Sequence, residues 1–301
     1  MRSWMGDDKM EKREKGHRMM KTLYISDLDG TLLRGNQRTS DFTNRVIAAM
    51  EEKGYHFSYA AARSIHTAKK ATAGMEARLP LIVYNGAFIV ENGTGKILLS
   101  HFFKKKERDE ILAALLAAGV QPIVYAFEGE TERMMYVKKK LHPAARDFMN
   151  TRKGDSRDTP VENEADLQRG QGFYFTCIDE EEKLEPLFAY FREKYHCVYA
   201  KDIYAKAQWL EIMPQGVSKA NAIRQLKKLL QCERTVAFGD GLNDMDMFEM
   251  AEEAYAVSNA AEELKEKATA VIGSNEEDGV AKFLLERLGL QLEEEGCTKH
   301  Y

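Results

Sequence analysis

Two short acidic clusters carry the residues that could do chemistry. The first reads Asp27-Leu28-Asp29-Gly30-Thr31-Leu32 and the second Gly239-Asp240-Gly241-Leu242-Asn243-Asp244. Side chains at i and i+2 of an extended strand point to the same side, so Asp27 and Asp29 can meet above one sheet edge. Two acids held there repel each other unless a cation sits between them. Carboxylate and carbonyl oxygens in this number suit Mg²⁺, a hard cation. Lys219 adds a fixed positive charge, which beside four carboxylates could neutralise a phosphoryl group and a nucleophilic Asp. A lone Gly-Asp-Gly turn is a weak signal. It gains weight from its place after a strand and from its match to the first cluster.

The elements that must position these residues alternate along the chain. A short apolar strand over residues 22–26 runs into Asp27. Ser40 can cap a helix that ends at Gly54, residues 55–61 read as a strand, 64–74 as a helix and 79–84 as a buried strand closing at Asn85-Gly86. The same rhythm returns late. Ser218 caps a helix to residue 231, and strands follow at 235–238, 255–257 and 270–272, with helices between them and over 279–288. This alternation predicts a parallel sheet with helices on both faces, the carboxyl ends of whose strands are where ligands bind. The middle of the chain differs. It predicts a hairpin around Asn92-Gly93, helices over 106–118, 142–149 and 180–194, and strands near Val124, Met135 and 172–178, with two more to finish. Antiparallel strands with helices on one face describe a separate α+β unit.

Asp27-Leu28-Asp29-Gly30-Thr31, Lys219 and Gly239-Asp240-x-x-Asn243-Asp244 resemble the signature of the haloacid dehalogenase superfamily phosphatases. The large unit inserted after Asn85-Gly86-Ala87 resembles the C2B cap of the Cof-type subfamily. The match runs from about residue 20 to 290 and includes Gly216-Val217-Ser218-Lys219 and Asp278-Gly279-Val280. The resemblance implies an α/β fold: a Rossmann-like parallel-sheet core over 20–86 and 214–290, with an inserted α+β C2B-type cap over 87–213. It implies that Asp27 attacks phosphorus to form an aspartyl-phosphate, while Asp29 protonates the leaving alkoxide and then deprotonates the hydrolytic water. Mg²⁺ would be held by the carboxylates of Asp27 and Asp240 and the backbone carbonyl of Asp29. Asp244 would bind or orient the metal shell and pair with Lys219. Thr31, Ala61, Ala62, Arg63, Asn85, Gly86 and Asn243 would contact the phosphate or the substrate.

One departure bears on activity. The family carries Thr or Ser at the end of the second strand, commonly before Gly-Arg or Ala-Arg, and that position falls here on Ala61. Losing one such donor can cost on the order of 10²–10³ in rate. Ser64 could substitute only from about three residues further on; Ser58 points to the other face of the strand.

The expected function is a Mg²⁺-dependent phosphatase for a small phosphorylated metabolite such as a sugar phosphate. Ala61 motivates one alternative, a catalytically weakened protein that binds a phosphometabolite as a sensor. A second is a phosphotransferase or phosphomutase. The bulk properties fit an ordinary globular protein: 301 residues, 44% hydrophobic, 31% charged, formal net charge −4. The acidic balance argues against a nucleic-acid binder, and Lys104-Lys105-Lys106 and Lys138-Lys139-Lys140 read as solvated runs, the second also as a means for the cap to attract an anion. No apolar run reaches the ~18–20 residues of a membrane span. Four scattered cysteines predict a reduced, cytoplasmic setting, and the chain is expected to be a monomer or weak homo-oligomer. Trp209, Met245, Met247 and Met250 read as core. Residues 1–19 read as a disordered extension, with Met19 or Met20 as an alternative start, and 291–301 as a frayed tail.

Overall fold

The computed structural model describes residues 20–201 and 207–292. The extension expected over 1–19 and most of the tail expected over 291–301 lie outside the described residues. From the start, β1 (Thr22–Ser26) leads through a wide turn to α1 (Asp41–Glu52), β2 (His56–Tyr59), α2 (Ile65–Ala71) and β3 (Leu81–Val83). The hairpin β4 (Phe88–Val90) and β5 (Ile97–Ser100) comes next, then α3 (Lys105–Ala117), β6 (Ile123–Glu128) and β7 (Thr131–Tyr136). They are followed by α4 (Pro143–Asn150), β8 (Asp158–Pro160), β9 (Gln171–Asp179), α5 (Glu181–Phe191), β10 (His196–Lys201) and β11 (Gln208–Met213). The chain returns with α6 (Lys219–Leu229), β12 (Arg234–Gly239), α7 (Met245–Met250), β13 (Glu253–Val257), α8 (Glu262–Lys265), β14 (Ala270–Ile272) and α9 (Gly279–Arg287).

The core sheet is parallel, in the order β14-β13-β12-β1-β2. Its central strands are buried almost without interruption, as a sheet covered on both faces requires. Ser40 and Ser218 cap α1 and α6 by accepting from the backbone N–H groups of Thr43 and Asn221. Strand order reverses between β1 and β12, so right-handed crossovers put α1 and α7 on opposite faces. That reversal also leaves a crevice at the carboxyl ends of β1 and β12, where Asp27 and Asp240 stand. Ala60 bridges in parallel to Ile82, and the Ala61 N–H donates to the Ile82 carbonyl at 3.0 Å, which sets β3 beside β2. The β4–β5 hairpin, which the sequence reading counts with the cap, is hydrogen-bonded to β3 and not to the cap's sheet.

The inserted unit is a six-stranded sheet in the order β10-β11-β9-β6-β7-β8, antiparallel except for β7 and β8. Alternation along its strands sorts two faces. Val124, Phe175, Cys177, Leu210 and Ile212 pack with Ile111 and Leu115 of α3 and Leu184 and Phe191 of α5. Tyr125, Met134, Tyr174 and Ile178 belong instead to the apolar cluster that continues into the core through Tyr84 and Phe88. Here the expectation of helices on one face fails. α4 lies on the core-facing side, where it buries Ala145 and Met149 and sets the Phe148 ring edge-on to Trp209 at 5.0 Å. Its apolar stripe needed a cover, and the core-facing sheet surface supplies one.

Candidate active site

The wide turn after β1 begins with Asp27, whose N–H donates to the Phe238 carbonyl of β12 at 2.9 Å. This contact ties the ends of the two switch-point strands together. Gly30 has φ +77°, and a Cβ there would lie 2.2 Å from the Asp240 carboxylate. Only glycine lets the two acidic clusters approach this closely. Lys219, at the start of α6, reaches between them: its Nζ donates to Asp27 Oδ1 at 2.6 Å and to Asp244 Oδ1 at 2.7 Å. All three are almost wholly out of solvent (Asp27 6%, Lys219 2% and Asp244 0% exposed). The second oxygen of Asp244 accepts from the N–H groups of Asp240 and Gly241, both at 3.1 Å, so Asp244 braces the turn as well as the lysine. Thr31 donates to Asp240 Oδ1 at 2.7 Å; its hydroxyl is thus directed to the second cluster.

One lysine does not balance these carboxylates. Burial pushes Asp27 well above the usual carboxylate range; Asp244 and Asp240 push it the same way, and Lys219 opposes them. Asp240 is pushed up to about 6, first by burial. Burial alone would lower the Lys219 ammonium, but Asp244 and Asp27 hold it above its ordinary value. Asp27, Asp240 and Asp244 can place one oxygen each within 4.8 Å of one another. A hard cation fits both the donor set and the unbalanced charge.

Asp29 points the other way. Its carboxylate is half exposed and is gripped by Arg63, with Nε to Oδ2 at 2.7 Å and Nη2 to Oδ1 at 2.5 Å. Arg63 follows β2, in the segment where the sequence lacks the expected hydroxyl. Ala61 is fully buried; its carbonyl accepts from the Asn85 N–H at 2.9 Å. Ser64 does not stand in for it, since its Oγ caps α2 by accepting from the Thr67 N–H at 3.2 Å. Ala62 is exposed and, like Arg63 and Ser64, lines the cavity between core and cap.

The turn Tyr84–Gly86 has three successive residues at positive φ, of 52°, 52° and 101°. It packs against the start of α6 so tightly that a Cβ on Gly86 would lie 2.3 Å from the Ser218 carbonyl. The cap grips the same turn. Tyr84 donates to the Glu132 carboxylate and accepts from Arg157 Nη1 at 2.7 Å, while Asn85 Nδ2 donates to the Tyr174 hydroxyl at 3.0 Å and to Glu211 Oε2 at 3.4 Å. Asn85 and Gly86 therefore join the cap to the lysine helix.

A cavity of about 820 Å³ opens between core and cap. Asp29, Arg63 and Ser64 line it on the core side, with Arg38 and Lys70. The cap contributes Tyr125, Tyr174, Trp209 and Glu211 from its sheet, and Phe148 and Arg152 from α4 and the turn after it. None of these six cap residues was singled out from sequence as a substrate contact; Trp209, expected in the core, packs against the apolar cluster and also lines the cavity. Alternation was the available signal: in Gln208–Met213, Leu210 and Ile212 face the helices, so Trp209 and Glu211 must face the core. Lys138–Lys140 do not line the cavity; they form an exposed turn, and Lys140 pairs with Glu164 at 2.7 Å. Asn243 is also elsewhere. It is exposed and lines a second cavity of about 700 Å³ with Tyr195, His196 and Ser218. Met247 is fully buried, as expected of a core residue. No helix among the described residues is long and apolar enough to cross a membrane.

Comparison with known proteins follows the same outline. The family model for haloacid dehalogenase-like hydrolases matches residues 24–284. YkrA of Bacillus subtilis is 29% identical over 278 residues, spanning 89% of this chain and 98% of that protein. YitU of the same organism, a 5-amino-6-(5-phospho-D-ribitylamino)uracil phosphatase, is 25% identical over 281 residues, spanning 89% and 98%. A solved Thermotoga maritima structure superposes with a TM-score of 0.71 at 25% identity, covering 91% of this chain and 99% of that one.

Proposed function

Because the chain belongs to the haloacid dehalogenase-like hydrolases, in their Cof-type branch, we propose that it is a Mg²⁺-dependent phosphatase. Its substrate is a small phosphorylated metabolite, and hydrolysis proceeds through an aspartyl-phosphate. The observation that carries this reading is Lys219 bridging Asp27 and Asp244 in a buried cluster with Asp240. Asp27 and Asp240 would hold the cation through their carboxylates, with the Asp29 backbone carbonyl. Bound there, Mg²⁺ supplies the positive charge that lets a carboxylate approach a phosphate dianion.

The chain's own residues do the rest. Asp27 attacks phosphorus as the ester P–O bond breaks, and Asp29 delivers a proton to the departing alcohol oxygen. Asp29 then takes a proton from water, whose oxygen attacks the phosphorus of the aspartyl-phosphate. The bond to Asp27 breaks, and inorganic phosphate and the free carboxylate return. Lys219 offsets negative charge on Asp27 throughout, so catalysis is positioning plus electrostatics. Arg63 must loosen its grip on Asp29 for either proton transfer to occur. Ser64, committed to capping α2, does not replace the hydroxyl absent at Ala61, which supports slow turnover, or ligand binding without turnover, as the second reading.

The test is hydrolysis of p-nitrophenyl phosphate and a metabolite panel with and without Mg²⁺. The wild type should turn over only with the metal, and Asp27→Asn should lose at least about 10³-fold in kcat. Full activity in Asp27→Asn would overturn the assignment of the site. A wild type that is inert on every ester, yet binds some of them, would favour the sensor reading.

A further inference from the structure

We propose that the cavity selects phosphate esters whose alcohol portion carries a second anionic group, and that Arg152 of the cap is the residue that reads it. The inference rests on the reaction proposed above, which fixes where the alcohol lies. Asp29 serves the leaving oxygen and lines the cavity, so the rest of the alcohol extends into that space and toward the cap wall. A volume of about 820 Å³ is far more than a phosphoryl group needs and fits a whole metabolite.

The charges on the walls divide into two groups. Arg63 is bound to Asp29, and Arg157 is bound to Asp155 at 2.6 Å and to Glu132 at 2.8 Å. Those pairs are internally satisfied. Arg38, Lys70 and Arg152 line the same cavity, and among the described residues none has a carboxylate partner. The one remaining acid on the walls, Glu211, is tied back by Asn85 and Tyr174. A chain with net charge −4 thus keeps a surplus of cation at one place.

Arg152 differs from the other two in being held. Its guanidinium carbon lies 4.7 Å from the centre of the Phe148 ring, and Phe148 is fixed edge-on against Trp209. Stacking positions a guanidinium while leaving its N–H edge free to bind a carboxylate or phosphate in bidentate fashion. Arg152 stands on the cap, whereas the phosphoryl group that reacts must lie at the core's strand ends beside Asp27. Attraction of that phosphoryl group alone would not need a cation on the far wall.

The experiment compares esters matched in carbon skeleton: glycerol 3-phosphate with 3-phosphoglycerate, and fructose 6-phosphate with fructose 1,6-bisphosphate. Wild type should prefer the member with the second anion in kcat/KM. Arg152→Gln should lower kcat/KM for those members by about 10- to 100-fold, mainly through KM, and leave p-nitrophenyl phosphate within about twofold. Arg152→Lys should fall between. An equal loss on all esters would mean general attraction and overturn the proposal, as would a wild type with no preference. Calorimetric titration of Asp27→Asn with the same four esters reads the preference without turnover. Its binding preference, and its loss in the Asp27→Asn/Arg152→Gln double variant, stands or falls separately from the hydrolase reading.

Discussion

In the core cluster, Lys219 touches two carboxylates and each oxygen of Asp244 has its own partner; on the cap side of the cavity, Arg152 lies against Phe148 with no carboxylate partner among the described residues. The two walls carry similar side chains under different constraints. In the core cluster Lys219, Thr31 and two backbone N–H groups hold the carboxylates in place, which in the proposed reaction presents one geometry to the phosphoryl group whichever ester arrives. On the cap wall the aromatic rings fix positions while some charges remain open, so a ligand has to complete them. The proposals place reaction and selection on different sheets, which the strained turn at Tyr84, Asn85 and Gly86 joins.

The most severe way to break this comparison is Lys219→Met. It leaves two buried carboxylates, Asp27 and Asp244, and the half-buried Asp240 facing each other without their lysine. Activity should fall by about 10³-fold, and urea denaturation at pH 8 should show a loss of about 3 kcal/mol. A variant with near-normal turnover would show that the core cluster is not closed in the way described. Ala61→Thr sharpens the comparison from the other side by restoring a donor to the core wall. In the hydrolase reading kcat should rise by up to about 10²-fold. The added atoms enter a fully buried position, so a cost of about 1–3 kcal/mol in stability should accompany the gain. Turnover appearing only in Ala61→Thr would mark the natural chain as a binding protein.

The core wall was legible in the sequence because its residues are contiguous. Asp27 to Thr31 and Gly239 to Asp244 are each one turn after one strand, and the glycines that permit their approach lie inside the same motifs. Lys219 was legible for a similar reason, standing directly after the capping Ser218. The cap wall is assembled differently. Tyr125, Tyr174 and Glu211 come from three strands, and only the pairings Tyr125↔Tyr174 and Glu211↔Thr176 set them on one face. A single sequence does not announce such pairings. Nor did it reveal α4 on the core-facing side, since the helix's apolar stripe shows that it is covered but not by what. Thr31 and Arg63 were legible as site residues, though not in their partners: each is bound to an acid of the site.

The smallest effect tests the join between the two walls. Glu211 faces the cavity from β11, close to Asn85 of the strained turn, and burial pushes its carboxyl up to about 7. Hydrogen bonds from Tyr174 and Asn85, and the charge of Lys219, pull it back only in part. In the unfolded chain the same carboxyl titrates near the ordinary value of 4.5. Between those values the folded protein holds a proton that the unfolded chain has already lost, so raising the pH through this window favours unfolding. The penalty is absent well below 4.5 and complete above about 7. Glu211→Gln removes it, while the raised carboxyls of Asp27 and Asp240 remain in both proteins and cancel. The variant should match the wild type near pH 4.5 and exceed it by about 1–2 kcal/mol at pH 8, the full linkage value being reduced because Glu211 is partly open to the cavity. Paired urea denaturation curves at the two pH values give the difference directly. Parallel behaviour would mean that Glu211 is solvated as an ordinary surface acid, and that the cap wall meets the core turn without burying charge between them.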